Sequence, residues 1–334
     1  MKILVIGGTR NIGLTLIPAL LEAGHSVTML NRGRTPDPLP QIVERLQADR
    51  TDTIQFQGAL AGRSFDVVVD NWLFEGDEAE TVVKLLDGRV GHYIFISSGQ
   101  VYLVREGIER PFREDDYAGR VMPPPKPSFG HEEWLYGMGK RRVEDTLARA
   151  WETRHFPYTT LRLPMVSSER DHYNRLYGYI LRLQDGGPVL VPETPDFPLR
   201  HIYRDDVVRA IMLAIQKGAG EGRAYNISQD ETISLAEYLQ IVGDILDVTP
   251  DIATVKRLDL EANGFLPDCS PFSERWMSEL TNDRSKTELG MTYTPLRTYL
   301  EAIVNHYVAS PPPPPASYRR RQAEIDFGRT VRRG

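Results

Sequence analysis

Seven residues near the start of the chain, Gly7-Gly8-Thr9-Arg10-Asn11-Ile12-Gly13, restrict the fold more than any other stretch. Before them, Lys2 to Ile6 is a short apolar run rich in β-branched residues, the pattern of a strand buried on both faces. After them, Ile12, Leu16, Ile17, Leu20 and Leu21 recur at helical spacing until Gly24 ends the run. Strand, glycine-rich turn and helix in that order aim a helix N-terminus and bare backbone N–H groups at a pyrophosphate. A G-x-x-G-x-x-G reading finds Gly7 and Gly13 in place but Arg10 in the middle. A guanidinium there displaces the closest backbone approach, and it can bind phosphate itself.

The rest of the first half repeats the alternation. Strands are expected at His25–Leu30, Ile42–Leu46, Phe65–Asp70 and His92–Ile96, and again at Tyr158–Leu163, where Pro164 stops the ladder. Helices are expected at Ile54–Leu60, capped by Thr51 or Asp52, at Glu78–Leu86 and at Glu132–Trp151. Strands alternating with helices predict an α/β fold with a doubly wound parallel sheet, whose ligands gather at the carboxyl ends of the strands. The second strand ends in Asn31-Arg32-Gly33-Arg34, with no carboxylate for a free ribose 2′-OH and two arginines suited to a 2′-phosphate. That favours NADP(H) over NAD(H), unless Arg32 and Arg34 are only solvated loop residues.

Residues 103–131 are polar and broken by Pro111, Pro123, Pro124, Pro125 and Pro127, which reads as a long loop and a lid over the substrate. Further on, helices are expected at Val207–Gln216, Leu235–Leu246, Glu279–Leu289 and Leu296–Val308, with a short strand at Ala224–Ile227. The expected organisation is a dinucleotide-binding domain over 1–166 with segments returning near 201–232, and a substrate lobe over 167–310. A proline-rich linker then leads into an arginine-rich tail over 311–334, read as a solvated extension. With 334 residues, 41% hydrophobic, the chain has ample material for such a core. Net charge is −6, Cys269 is the only cysteine, and no apolar run suggests a signal or a membrane span. The expectation is a cytoplasmic protein with no membrane partner and no metal, and the acidic balance argues against nucleic acid.

Chemistry is concentrated in Ser98, Tyr136 and Lys140. Tyr136 and Lys140 are four apart on one helix face. An ammonium near a phenol favours tyrosinate, which can exchange a proton with a substrate hydroxyl or carbonyl as hydride moves. A serine hydroxyl can hold the same oxygen. Gly137 and Gly139 flank this pair at a helix cost of about 1 kcal/mol each, which makes sense if something packs close to the backbone.

These pieces resemble a known family. GGTRNIG at 7–13, FDVVVDN at 65–71, ISSGQVY at 96–102, YGMGK at 136–140, LRLP at 161–164 and RHIYRDD at 200–206 look like the extended short-chain dehydrogenase/reductases, the NAD-dependent epimerase/dehydratase group. The likeness covers about residues 1–308. GGTRNIG, NRG at 31–33 and ADRTD at 48–52 are most similar to the subgroup of chloroplast stem-loop-binding-like proteins. The resemblance implies a Rossmann domain, Tyr136 as acid/base, Lys140 on ribose and tuning Tyr136, and Ser98 orienting the substrate oxygen. It places Asp49 near adenine, Pro164 near nicotinamide and Arg200 at a substrate phosphate. The implied cofactor set is Gly7, Thr9, Arg10, Asn11, Ile12, Gly13, Asn31, Arg32, Asp49, Arg50, Asn71, Tyr136, Lys140 and Pro164. Ser98, Gln100 and Arg200 form the substrate set. The implied activity is NAD(P)-dependent oxidation, reduction or epimerisation at a hydroxyl or keto carbon of a nucleotide sugar. A homodimer is implied as well, paired through the helices near 78–86 and 132–151. Dehydratases of this family carry an acidic pair where Gly99 and Gln100 stand, so dehydration is disfavoured. Some relatives bind RNA, which leaves an RNA-binding or regulatory protein, or a reductase of a non-sugar metabolite, as the competing readings.

Overall fold

The computed structural model describes residues 1–126, 129–194, 197–218 and 222–331. The chain divides into two compact units. Met1–Pro164, Arg204–Ser228 and Leu280–Thr292 form the first; Met165–Tyr203, Gln229–Glu279 and the residues from Tyr293 onward form the second.

In the first unit β1 (Lys2–Ile6) feeds α1 (Asn11–Glu22), then β2 (Ser26–Asn31), β3 (Glu44–Gln47) and α2 (Thr53–Leu60). β4 (Phe65–Asp70), α3 (Gly76–Leu86), β5 (Val90–Ser98), α4 (Gln100–Leu103), α5 (Phe129–Arg154) and β6 (Tyr158–Leu163) follow. The chain passes through β7 (Val166–Ser167), α6 (Arg175–Gln184), β8 (Val189–Pro192) and β9 (Ile202–Tyr203) of the second unit. It returns to the first as α7 (Arg204–Lys217) and β10 (Arg223–Asn226). The seven-stranded sheet runs β10-β6-β5-β4-β1-β2-β3, and every neighbouring pair is parallel. This is the doubly wound arrangement expected from the alternation. Leu4, Ile6, Val68 and Phe95 of the strands pack with Val82, Val83 and Leu86 of α3 and Val143 and Leu147 of α5. Because all strands point one way, Gly7, Asn31, Asn71, Ser98 and Pro164 fall at one edge of the sheet.

The lid expected over residues 103–131 needs correction. Arg105 bridges to Val121, and Phe112 to Leu280. Glu114–Tyr117 forms a 3₁₀ turn with Glu114 buried, its carboxylate accepting the Asn226 N–H at 2.9 Å. Arg162 Nη1 donates to the Glu114 carbonyl at 3.2 Å, and Arg141 Nη2 to that of Tyr117 at 2.9 Å. Residues 104–122 are therefore tied into the first unit, because buried arginines from α5 and β6 satisfy their backbone carbonyls. Pro127 lies outside the described residues. The helix expected over Glu279–Leu289 is also shorter. Leu280 is extended where it meets Phe112, and helical turns begin only at Asp283, with Ser285–Leu289 of π type.

In the second unit β8 pairs with β11 (Ile252–Val255) and β7 with β9, both parallel. α8 (Leu235–Leu246) starts at Ser234, in a capping box with Glu237. α9 (Arg257–Ala262) and α10 (Leu296–Ala309) follow. Tyr179, Ile180, Leu183, Leu239, Val242, Leu300 and Ile303 fill the core. The tail read as a solvated extension is instead α11 (Arg321–Val331), with Arg321 and Glu324 buried. No helix among the described residues is long and apolar enough to cross a membrane.

Candidate active site

The glycine-rich turn forms one wall of a cleft of about 310 Å³. Gly7 and Gly8 have φ of +98° and +102°, a region that L side chains rarely adopt. A Cβ on Gly13 would lie 2.2 Å from the Gly8 Cα, so only glycine lets α1 start this close to the turn. Arg10 occupies the N-cap position and offers no capping oxygen, which leaves the start of α1 suited to an anion. Thr9, Arg10, Asn11, Ile12, Asn31, Arg32, Asp49, Arg50 and Asn71 all line the cleft. Both amide atoms of Asn71 are buried without a hydrogen-bond partner, an omission that a bound ligand would relieve. A bare-backbone cradle beside an unsatisfied amide fits the pyrophosphate and ribose of a dinucleotide.

The arginines divide by environment. Arg50 is buried and spends its charge inside the protein, with Nη1 and Nη2 on the two Asp70 oxygens at 3.0 and 2.7 Å. Burial acts to raise the Asp70 carboxyl, but the Arg50 charge and hydrogen bonds outweigh it and hold that carboxyl below its ordinary value. Arg50 thus lines the cleft with its charge paired to Asp70 and its Nε buried without a hydrogen-bond partner. Arg10, Arg32 and Arg34 are exposed at its rim. Arg34 lies 3.8 Å from Asp49, whose Oδ1 accepts the Thr51 N–H and hydroxyl at 3.1 and 2.8 Å. Asn31 Oδ1 accepts the Gly33 N–H at 2.6 Å and shapes the turn that carries Arg32.

Ser98, Tyr136 and Lys140 do come together. Ser98 ends β5, and its hydroxyl oxygen accepts the Gln100 N–H at 3.2 Å and hydrogen-bonds Tyr136. β5 pairs there with β6, Ser98 opposite Leu163, which sets buried Pro164 beside the same strand end. The glycines flanking Tyr136 are explained by close approach, as expected. A Cβ on Gly137 would meet the Gln100 carbonyl at 2.8 Å, and one on Gly139 the Phe74 carbonyl at 2.5 Å. Lys140 Nζ donates to the carbonyls of Leu73 at 2.8 Å and Ile96 at 3.0 Å. It lies 4.6 Å from the Phe74 ring centre, 4.8 Å from that of Phe95 and 5.9 Å from that of Tyr136.

The electrostatics differ from the expected tyrosinate. Tyr136 is 37% exposed, but desolvation around its oxygen pushes the phenol up to about 12; the Ser98 hydrogen bond pulls it down and the Glu133 charge raises it further. Burial brings the Lys140 amine down to about 7. Near neutral pH the phenol therefore keeps its proton, and the charge of Lys140 alone does not remove it. Between about 7 and 10.5 the unfolded chain holds a proton on Lys140 that the folded chain has released. The unfolding free energy should rise with pH across that window, and this increment should vanish in Lys140→Met. Denaturant titrations at pH 7 and 9 check this; equal pH dependence in both proteins would refute it.

Gln100 joins the group, its side-chain amide donating to the Glu133 carboxylate. Arg200 belongs to the second unit, where its Nε donates to the Gln229 carbonyl at 2.9 Å. Sequence reasoning missed Glu133, although its position three residues before Tyr136 on one helix was a signal. It also missed Trp72 and Phe74, whose rings meet edge to face at 4.9 Å, with Phe74 6.1 Å from Tyr136.

Residues 3–80 and 79–228 match the NAD dependent epimerase/dehydratase family. Among curated proteins, the chain is 28% identical over 249 residues to the chloroplast stem-loop binding protein of 41 kDa b from Arabidopsis thaliana, covering 70% of this chain and 60% of that protein. It is 28% identical over 151 residues to 2′-dehydrokanamycin reductase from Streptomyces kanamyceticus, covering 45% of this chain and 39% of that protein. Both matches span less than two thirds of the relative. Among solved structures, UDP-glucose 4-epimerase of Thermotoga maritima with UDP-glucose superposes with a TM-score of 0.72 at 18% identity, covering 93% of this chain and 99% of that one. dTDP-glucose 4,6-dehydratase of Bacillus anthracis in complex with NAD gives 0.72 at 15% identity, covering 93% and 97%.

Proposed function

The chain belongs to the NAD dependent epimerase/dehydratase family, and from that premise we propose that it oxidises, reduces or epimerises a hydroxyl- or keto-bearing carbon of a nucleotide-sugar-like substrate. The observation that carries this reading is the Ser98–Tyr136–Lys140 group, joined through Leu73 to the segment that lines the glycine-rich cleft. The bound dinucleotide supplies the hydride acceptor or donor. Gly7, Gly8 and Gly13 leave room for its pyrophosphate, and Asn71 offers both an acceptor and a donor. Lys140, whose Nζ lies 4.6 Å from the Phe74 ring centre, would bind a ribose hydroxyl.

Tyr136 holds the proton that the reacting oxygen gains or loses, and Ser98 shares a hydrogen bond with that phenol. A phenol that stays protonated near neutral pH can donate directly to a carbonyl oxygen, the proton step of reduction. In the opposite direction the same oxygen must first lose its proton. Gly99 and Gln100 supply no carboxyl group after Ser98, which disfavours elimination of water from the substrate. The 2′-dehydrokanamycin reductase relative is consistent with a reductive role.

The dinucleotide is proposed to be NADP(H). The turn after β2 carries exposed Arg32 and no carboxylate, and Arg10 adds a second guanidinium at the rim. Calorimetric titration should give tighter binding of NADPH than NADH, and Arg32→Ala should narrow the difference. Equal or tighter NADH binding, or unchanged NADPH affinity in Arg32→Ala, would rule the preference out. Binding of neither would remove the assignment of the cleft.

A further inference from the structure

We propose that the Trp72 indole is a wall of the dinucleotide cleft and covers the face of one of the ligand's aromatic heterocycles. The proposal rests on reading this cleft as the cofactor site. Trp72 follows Asn71 at the carboxyl end of β4 and lines the cleft beside the glycine-rich turn, since β4 pairs with β1. Its indole is large and mostly apolar. The residue is 46% exposed, and among the chain's four tryptophans, all described, it is the one left exposed. An indole exposed to that degree forgoes most of the burial that such a ring can gain.

The exposure is not a consequence of a loose backbone. The Trp72 N–H donates to Asp70 Oδ1 at 2.9 Å, and its carbonyl accepts Arg50 Nη1. The buried Arg50–Asp70 ion pair thus clamps the peptide groups on both sides of the residue. Phe74 braces the indole edge to face at 4.9 Å, and Phe74 in turn meets Tyr136. A rigidly mounted aromatic face between the pyrophosphate cradle and the acid/base tyrosine suits a flat heterocycle, because every such ring has a π-face and needs no further donor match.

The test uses the full chain. Trp72→Ala should weaken NADPH binding about tenfold by calorimetry, within the range that stacking on an aromatic side chain supplies. Trp72→Phe should keep affinity within about threefold of wild type, since it retains a stacking face. Indole emission should be quenched when wild type binds NADPH, and most of that quench should disappear in Trp72→Phe. The same titrations with 2′-phospho-ADP-ribose, which lacks nicotinamide, locate the ring. A tenfold loss for both ligands assigns adenine; a loss for NADPH alone assigns nicotinamide. Circular dichroism verifies that each variant is folded, and if Trp72→Ala is not, the Trp72→Phe quench decides. Wild-type affinity in a folded Trp72→Ala, or an unchanged quench in Trp72→Phe, would overturn the proposal while leaving the cofactor assignment standing. A wild-type chain that binds no dinucleotide would overturn both.

Discussion

Tyr136→Phe should lower turnover by roughly 10²–10⁴-fold, the usual loss when a positioned acid/base is removed. The substitution deletes one oxygen and nothing else. The ring remains to pack against Phe74, and the Lys140 hydrogen bonds to Leu73 and Ile96 do not involve the phenol. Cofactor affinity should therefore stay within about threefold of wild type, since the lost oxygen forms no wall of the glycine-rich cleft. The phenol is pushed up to about 12, so in the free protein it is protonated throughout the neutral range. Reduction should accordingly hold a flat rate across pH 6–9 as far as this group is concerned, whereas oxidation should accelerate with rising pH until the phenol is ionised. Single-turnover hydride transfer, followed by nicotinamide absorbance with a reactive substrate, measures both. Wild-type rates in Tyr136→Phe would show that the proton travels by another group.

Glu324→Ala should destabilise the second unit by about 3–5 kcal/mol, the range for removing one partner of a buried ion pair. Arg182 is among the largest fully buried side chains. Its Nε and Nη2 donate to the two Glu324 oxygens at 2.9 and 2.7 Å, and Nη1 donates to the Gly178 carbonyl at 2.9 Å. Arg321 reaches the same carboxylate at 3.2 Å and Asp185 at 2.7 Å. Removing Glu324 leaves the Arg182 charge buried with carbonyl oxygens alone, while Arg321 still has Asp185. The Arg182→Met, Glu324→Ala double variant should recover part of the loss, because it removes the stranded charge. Chemical denaturation followed by a probe in the second unit tests this. A loss below about 1 kcal/mol in Glu324→Ala would place the pair with ordinary surface salt bridges.

The first unit was legible because its signals are local. β4 occupies Phe65–Asp70 as expected from Phe-Asp-Val-Val-Val-Asp, since a strand covered on both faces needs an unbroken apolar run. In the second unit, α8 likewise occupies Leu235–Leu246 as expected, and Ser234 with Glu237 provides the start signal. Gly137 and Gly139 could be read as sites of close approach before any neighbour was known. β8 was missed because four residues, Val189–Pro192, carry too short a pattern to separate strand from helix. The segment at 104–122 was misread because its polar composition is that of a solvated loop; Glu114 is buried only because Asn226 and Arg162 come from distant elements to satisfy it.

By itself, the sequence determined the alternating order of the first unit, the parallel sheet and the positions of the cradle and of Tyr136 and Lys140. These follow from spacing within one turn, one strand or one helix. Only the tertiary structure decided which charges are free to meet a ligand. Arg50, expected among the cofactor residues, lines the cleft but has its charge paired with Asp70. The arginines of the tail, read as solvated, include one that joins Arg182 around a carboxylate 142 residues away along the chain. The Tyr136 phenol, expected to be lowered by Lys140, is raised, because desolvation acts on the phenol oxygen as on the buried amine and a short-range count of charges contains no desolvation. Composition records how many charges a chain carries; whether each faces water, a ligand or an opposite charge is set by which distant segments fold against it.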